Sequence, residues 1–322
     1  MTTYKILIVG FGSIGKKHYS MIKNIYPDSI IKYLRRESFS DYSNPDELEL
    51  RKMEEVKIFA PNISFICNPA SFHIETAISL AKIGSHLFIE KPLSTNLKDI
   101  SLLKRIINKK RLVLQVGYNL RYIRSLQKIR EYIASNKFGK ALYFKAVAGQ
   151  DLKDWRPIGL EKDSISLQKK LGGGVIYELS HEIDYLLWIF GSLDVLNVTK
   201  ETLFYKSSDV EDYALISLGK RNNRVLSVVG NVTLDFIRKD LSRELEIVCE
   251  KATIKWLPLE SQIIISNSKK DKVIFFKEDT ISHSYKKQMN DFFNNVKANK
   301  IPMTSIDEGI KTTKLLIDIH NA

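Results

Sequence analysis

Tyr4-Lys5-Ile6-Leu7-Ile8-Val9-Gly10-Phe11-Gly12-Ser13-Ile14-Gly15 is the stretch whose reading decides the fold. Its first six residues form an apolar, β-rich run, and the Gly-x-Gly-x-x-Gly run behind them opens a helical pattern from Ser13 to Ile25. Strand, glycine turn and helix in that order predict a dinucleotide-binding unit. Gly10 permits the tight turn, Gly12 lets the backbone approach a pyrophosphate, and Gly15 lets helix and strand pack closely. The anion then rests on the positive end of the helix, with Ser13 and Ile14 in its first turn among the cofactor contacts.

Outward from this unit, apolar β-rich runs alternate with amphipathic helical ones as far as Gly117, the signature of a parallel sheet with crossover helices. Further strands are expected at Ile30–Leu34, Ile63–Cys67, His86–Ile89 and Leu112–Val116. Gly84 stops a helix over Phe72–Ile83, and Ser94 or Thr95 caps the next, which runs toward Asn108. A helix from Arg121 to Ser135 leads through Gly139 into a different texture. Ala141–Ala148, Val195–Tyr205, Tyr213–Leu218, Val225–Phe236, Leu245–Val248, Thr253–Trp256, Gln262–Ile265 and Val273–Phe276 read as largely antiparallel strands. Helices after Gly174, over Tyr285–Val296 and over Asp307–Asn321 are available to cover one face. The expected architecture is α/β: a doubly wound Rossmann domain over 1–120, then an α/β domain over 121–322 with a large open sheet. The sheet face left over would be a homodimer or homotetramer surface.

The 322 residues exceed what one core usually supports, in line with two domains. No apolar run approaches the roughly 20 residues of a membrane span, and the early strand leaves no room for a secretory leader. Cys67 and Cys249 each lie in or at the end of a strand-like run, which predicts buried, reduced thiols and a cytoplasmic protein. The net charge of +13 invites a nucleic-acid reading, but Lys109-Lys110-Arg111, Lys169-Lys170 and Lys286-Lys287 are short and dispersed. The excess is read as solvated surface, some of it steering an anionic substrate. None of the six histidines has metal-ligand spacing, so no metal is expected.

Two segments carry the chemistry. Lys91, in Glu90-Lys91-Pro92, follows an expected strand, where strand ends border the nicotinamide of such sheets, and a cis bond before Pro92 would turn its side chain into the cleft. The second is Gly172-Gly173-Gly174-Val175-Ile176-Tyr177-Glu178-Leu179-Ser180-His181-Glu182-Ile183-Asp184. Its glycines allow backbone to approach a ligand, and one following helix would set Glu178, His181 and Asp184 on adjacent turns of one face. His181 is the candidate general base, taking a hydroxyl proton as hydride leaves the carbon, while Lys91 holds the developing alkoxide. Glu178 and Asp184 would orient His181 or bind sugar hydroxyls, or else cap the helix or pair on its surface. Arg121, Trp155, Arg156 and Asp184 are candidate substrate contacts, arginine offering a bidentate fork and tryptophan a face for sugar C–H groups. His18 and His73 are expected near the cofactor as packing residues. The second strand ends Tyr33-Leu34-Arg35-Arg36, where an acid normally binds the ribose of NAD; Arg35 and Arg36 suit a 2′-phosphate and favour NADP(H), with NAD(H) the alternative through Glu37.

Together these segments resemble the glucose-fructose oxidoreductase / inositol dehydrogenase / rhizopine catabolism (Gfo/Idh/MocA) family along nearly the whole chain, with Glu-Lys-Pro the most specific mark. The resemblance implies a Rossmann domain, a C-terminal domain whose open sheet serves oligomerisation, and Lys91 with His181 as the catalytic pair. It also implies cofactor contacts from Cys67-Asn68-Pro69, including Asn68 and Pro69, from His73 and Glu90, and from Gly117-Tyr118-Asn119, including Asn119. The implied reaction interconverts a secondary hydroxyl and a ketone on a sugar, inositol or nucleotide-sugar. Where the family commonly shows Asp-x-x-x-His, this chain has Glu178-Leu179-Ser180-His181, one residue shorter, which puts the role of Glu178 in question. Asp154-Trp155-Arg156-Pro157 with Leu179-Ser180-His181-Glu182 resembles the branch associated with bacterial surface-sugar biosynthesis. A non-catalytic nucleotide-binding sensor on the same fold is the alternative; the presence of Lys91 and His181 argues for the enzyme.

Overall fold

Short apolar runs buried on both faces make parallel strands, and the first third of the chain is built from them. The computed structural model describes residues 3–35, 48–155, 164–223 and 225–322. In chain order the elements are β1 (Lys5–Val9), α1 (Ser13–Ile25), β2 (Ile30–Leu34), β3 (Glu49–Leu50), α2 (Met53–Phe59), β4 (Ile63–Ile66), α3 (His73–Ile83), β5 (His86–Ile89), α4 (Ile100–Lys110) and β6 (Leu114–Val116). The six strands form one parallel sheet in the order β3-β2-β1-β4-β5-β6. The order reverses between β1 and β4, so the crevice outside their carboxyl ends is the ligand position for such a sheet. Gly10, Cys67, Glu90 and Gly117 each follow one of the strands β1, β4, β5 and β6, all at that edge.

The sequence pattern did not anticipate β3 or α2. Nor does Ser94 or Thr95 cap α4: the helix begins at Ile100 behind Asp99, which holds a left-handed φ of 59°, while Ser94 Oγ accepts the backbone N–H of Asn96 in a turn.

The remaining elements are α5 (Arg124–Ala134), β7 (Ala141–Gly149), α6 (Leu152–Trp155), α7 (Val175–Glu178), α8 (His181–Phe190), β8 (Asp194–Glu201), β9 (Tyr213–Asn222), β10 (Val225–Asp235), β11 (Ser242–Cys249), β12 (Thr253–Leu257), β13 (Gln262–Ser266), β14 (Asp271–Phe275), α9 (Ile281–Ala298) and α10 (Ile306–Asn321). Eight strands form a mostly antiparallel sheet in the order β14-β13-β12-β11-β7-β10-β9-β8, in which only β7 and β10 run parallel. Alternation sets one face of this sheet into the core, where Phe144 stacks on Phe190 of α8 and Trp256 donates its indole N–H to Ser125 Oγ at 2.8 Å. The opposite face shows Val229, Val273 and Phe275 beside the ion pairs Lys145–Glu244 and Lys255–Glu246. The buried Asp279 carboxylate accepts the backbone N–H groups of Arg124 and Ser125, each at 2.6 Å, satisfying the start of α5 from far along the chain.

The chain divides into two compact units, Met1–Gly117 with Met289–Ile310, and Tyr118–Gln288 with Lys311–Ala322. An uninterrupted second domain from 121 onward does not anticipate the return to the first unit at 289–310. There Phe292 and Phe293 pack on Phe65, with Phe65 stacked on Phe88 at 5.0 Å. Among the described residues no helix is long and apolar enough to cross a membrane, and no group of three His, Cys, Asp or Glu is placed to hold a metal ion. Cys249 is buried and free; Cys67, expected to be buried, is free but only half-buried.

Candidate active site

The glycine loop shows which of its positions the fold needs and which it leaves open. Gly10 has φ 85°, and a Cβ there would lie 2.8 Å from backbone atoms of Cys67 and Asn68. A Cβ on Gly15 would lie 2.2 Å from the carbonyl oxygen of Gly10. These two are required by packing. A Cβ on Gly12 would meet nothing within 4 Å, so the bareness of this backbone serves something other than the fold. Gly12 precedes the first turn of α1, which holds Ser13 and Ile14, no acidic residue and no side-chain cap. An open backbone at an uncapped helix N-terminus fits a pyrophosphate.

At the next strand end, Asn68 donates from Nδ2 to Thr76 Oγ1 at 3.0 Å, and Pro69 precedes a short 3-10 turn. His73 is buried with its ring nitrogens 2.8 Å from the carbonyl oxygens of Pro92 and of Asn68, so it ties two strand ends together. Burial holds its pKa below the ordinary value despite those carbonyl oxygens, which leaves a neutral ring that donates to one carbonyl at a time. The Lys91–Pro92 bond is cis. Glu90 is buried, and His18 Nε2 donates to its Oε1 at 2.7 Å. Burial alone would raise the Glu90 carboxyl, but the His18 bond and the charge of Lys91 outweigh it and keep its pKa low. A Cβ on Gly117 would lie 2.9 Å from Glu90 Oε2, so this glycine makes room for the carboxylate. Sequence gave His18 only a packing role; its bond to Glu90, 72 residues away, is new. At the end of β2, the Arg35 guanidinium lies 5.8 Å from the ring centroid of Tyr33, which stacks on Phe11 at 4.1 Å. Arg36 lies outside the described residues.

In the second unit the segment after Gly174 is two helices rather than one. One turn, α7, ends at Glu178; Leu179 and Ser180 break the ladder; and His181 starts α8. Glu178 therefore does not share a helix face with His181, and its carboxylate accepts the hydroxyl proton of Ser166 at 2.7 Å. This differs from the expected single helix face shared by Glu178 and His181. His181 is mostly buried against the edge of the Tyr118 ring, at 5.7 Å between centroids. Burial and the Asp184 charge push the Tyr118 hydroxyl far up, so that group stays protonated beside His181. Glu182 is fully buried and accepts from Arg243 Nε at 2.8 Å, which pins the first turn of α8.

Arg121 and Asp184, expected to meet substrate, meet each other. Arg121 Nε and Nη2 donate to the two Asp184 carboxylate oxygens at 2.8 and 2.7 Å, the side chains are 1% and 2% exposed, and Thr312 adds a hydroxyl to Asp184 at 3.0 Å. A buried bidentate pair is a structural contact, and pairing was among the roles open to Asp184. Asn119, expected at the cofactor, is buried and donates from Nδ2 to Ser284 Oγ at 2.7 Å. Trp155 closes α6, and Arg156 lies outside the described residues.

Residues 4–118 match the sequence profile of the oxidoreductase family with an NAD-binding Rossmann fold, and residues 126–255 match the GFO/IDH/MocA C-terminal domain. The chain belongs to the GFO/IDH/MocA family of oxidoreductases. One similar member, the myo-inositol 2-dehydrogenase of Thermotoga maritima, is 25% identical over 95% of this chain and 92% of its own length. Among solved structures of the fold, levoglucosan dehydrogenase in complex with NADH and levoglucosan has a TM-score of 0.80 at 17% identity, over 99% of this chain and 97% of that one. The WlbA dehydrogenase from Bordetella pertussis, in complex with NADH and UDP-GlcNAcA, has a TM-score of 0.80 at 18% identity, over 99% of this chain and 96% of that one. These likenesses fit an NAD(P)-dependent dehydrogenase of the GFO/IDH/MocA family.

Proposed function

We propose that this GFO/IDH/MocA enzyme interconverts a secondary hydroxyl and a ketone on a sugar, inositol or nucleotide-sugar, with NADP(H) preferred to NAD(H). The observation that carries the reading is the crevice edge of the parallel sheet. There the open backbone of Gly12, the Asn68-Pro69 turn and Lys91 stand at the ends of β1, β4 and β5. Gly10, Gly12, Ser13, Ile14, Gly15, Asn68, Pro69, His73 and Glu90 would hold the dinucleotide or shape its bed, and Arg35 with Arg36 would meet a 2′-phosphate. A bound nicotinamide supplies the hydride acceptor or donor. The chain would supply the proton chemistry, with the Lys91 ammonium the candidate to stabilise an alkoxide and His181 the candidate to move the hydroxyl proton. The His18–Glu90 bond and the His73 bridge fix the backbone on either side of Lys91. Surface-sugar biosynthesis, homo-oligomerisation through the open sheet face and a cytoplasmic location belong to the same proposal.

The test is a nicotinamide-absorbance assay over polyols, hexoses and nucleotide sugars, with dissociation constants for NADPH and NADH. Lys91→Ala is expected to lower kcat at least 100-fold while leaving cofactor affinity within about threefold. Undiminished turnover removes Lys91 from the mechanism, equal or tighter NADH binding defeats the NADP preference, and bound cofactor without turnover across the panel favours the sensor.

A further inference from the structure

We propose that the second unit carries a nucleoside-diphosphate subsite on Phe204, Lys153, Lys239 and Arg238, so that the sugar is presented to His181 as a nucleotide sugar. This rests on the dehydrogenase reading and narrows it. The starting point is the loop between β8 and β9. Asp212 is completely buried, and its carboxylate accepts the backbone N–H groups of Leu203, Phe204 and Tyr205 at 2.7, 2.8 and 2.7 Å. Three charge-assisted bonds to one buried group hold the loop in a single shape. In that shape Tyr205 turns inward, donating its hydroxyl to Asp151 at 3.0 Å, while Phe204 is held outward with half its surface exposed. With Leu203 beside it also half exposed, Phe204 on this fixed loop presents an aromatic face, a plate on which a base could stack.

Cations surround that plate. The Lys239 ammonium lies 4.9 Å and the Lys153 ammonium 5.8 Å from the Phe204 ring centroid. Lys239 also pairs with Asp151 at 2.5 Å, and Arg238 with Asp235 at 2.7 Å. The two acids are buried beneath their cations and orient them; the Lys239 side chain remains 70% exposed and that of Arg238 26%. A stacking base can replace the ammoniums on the ring face, because lysine's flexible stem lets its charge swing onto a phosphate oxygen. Arg238 holds Asp235 Oδ2 through both Nε and Nη2, so it adds positive charge beside the phosphates rather than a second fork. A neutral polyol uses neither the plate nor the charges.

The register places this cluster at the same end of the sheet as His181. Gly149 pairs with Asp235, so the ends of the parallel strands β7 and β10 emerge together and carry Asp151, Lys153, Arg238 and Lys239. Arg243, which holds Glu182 beside His181, pairs with Ala148 on the same strand. From that rung to Asp151 is three residues, about 10 Å of extended chain. On this placement a nucleotide sugar bound with its sugar at His181 would extend toward the plate.

The test is calorimetry on the full chain, titrating UDP, dTDP and GDP with uridine and inorganic diphosphate as partial probes, before and after saturation with NADH to fill the dinucleotide site. The expected result is nucleoside-diphosphate binding that persists with NADH bound and exceeds that of either partial probe. Phe204→Ala should weaken it about tenfold or more, Phe204→Tyr should keep it and Lys239→Met should weaken it, with NADH affinity and Tm unchanged in the Phe204 variants. No such binding with NADH bound, or binding indifferent to Phe204→Ala, overturns the subsite while the dehydrogenase reading stands. Phe204-dependent binding in a protein that takes up no nicotinamide dinucleotide would sink the dehydrogenase reading and keep the subsite.

Discussion

In the first unit, the residues proposed to touch the cofactor come in short runs, Gly10–Gly15, Cys67–Pro69 and Glu90–Pro92, each at the end of its own parallel strand. In the second unit, the surroundings of His181 are fixed by partners far apart in the chain: Arg121 with Asp184 across 63 residues, Arg243 with Glu182 across 61, and Trp256 with Ser125 across 131. A parallel sheet delivers every strand end to one crevice, so residues carried on the turns furnish it, and the bonds His18–Glu90 and His73–Pro92 then tie those turns together. Helices laid on a broad antiparallel sheet have no such common edge, and buried charge pairs and hydrogen bonds set their register instead.

The sharpest way to break this contrast is to break the buried bidentate ion pair, Arg121 with Asp184. Arg121→Met leaves the Asp184 carboxylate buried without its guanidinium and is expected to cost about 3–5 kcal/mol, read as a lower denaturant midpoint. The double variant Arg121→Met/Asp184→Leu should recover most of that loss, because no unpaired charge remains. A single variant as stable as the parent would mean that the pair does not set the helix register.

The glycine loop offers a two-sided test in the first unit. Gly15→Ala drives a Cβ to 2.2 Å from the Gly10 carbonyl and should cost about 1–3 kcal/mol of stability. Gly12→Ala meets no protein atom within 4 Å and should leave Tm within a degree or two, yet weaken NADPH binding about tenfold or more. Equal effects of the two substitutions on stability would erase the distinction between a glycine kept for packing and one kept for a ligand.

The same contrast explains what was legible beforehand. The Rossmann strands could be read because apolar runs of four to six residues end in glycine or proline, and the second sheet because its alternation has a period of two. The place of Lys91 just past a strand was legible because Glu-Lys-Pro follows the apolar run His86–Ile89. The break at Leu179-Ser180 was not: the stretch holds neither glycine nor proline, its apolar pattern runs on from Val175 to Ile183, and what draws Glu178 away is Ser166, 12 residues upstream. Arg121 and Asp184 were legible as polar residues but not as partners, since nothing local distinguishes an arginine that meets a substrate from one that meets a carboxylate 63 positions on. His18 and Glu90 stood 72 residues apart and escaped for the same reason.

Acid titration separates the units by a smaller effect. Burial lowers the pKa of His73 and of His86 in the first unit, and of His320 in the second, from the ordinary 6.5. Each ring binds its proton more readily in the unfolded chain, so the stability it contributes is complete above pH 6.5 and is lost as pH falls below that value toward the folded pKa. Each such group gives a slope of at most about 1.4 kcal/mol per pH unit, less for the partly exposed His86 and His320, which solvent screens. The Glu90 carboxyl, held low, has the same sign but acts lower, below its ordinary 4.5. Melting temperature should therefore be flat between about pH 7 and 8 and fall from pH 6.5 to 5. Because His73 is the more deeply buried, His73→Asn should flatten that fall more than His320→Asn does. The reverse ranking, or a stability that rises on acidification, would show that the acid response is not seated in the bridge between Asn68 and Pro92.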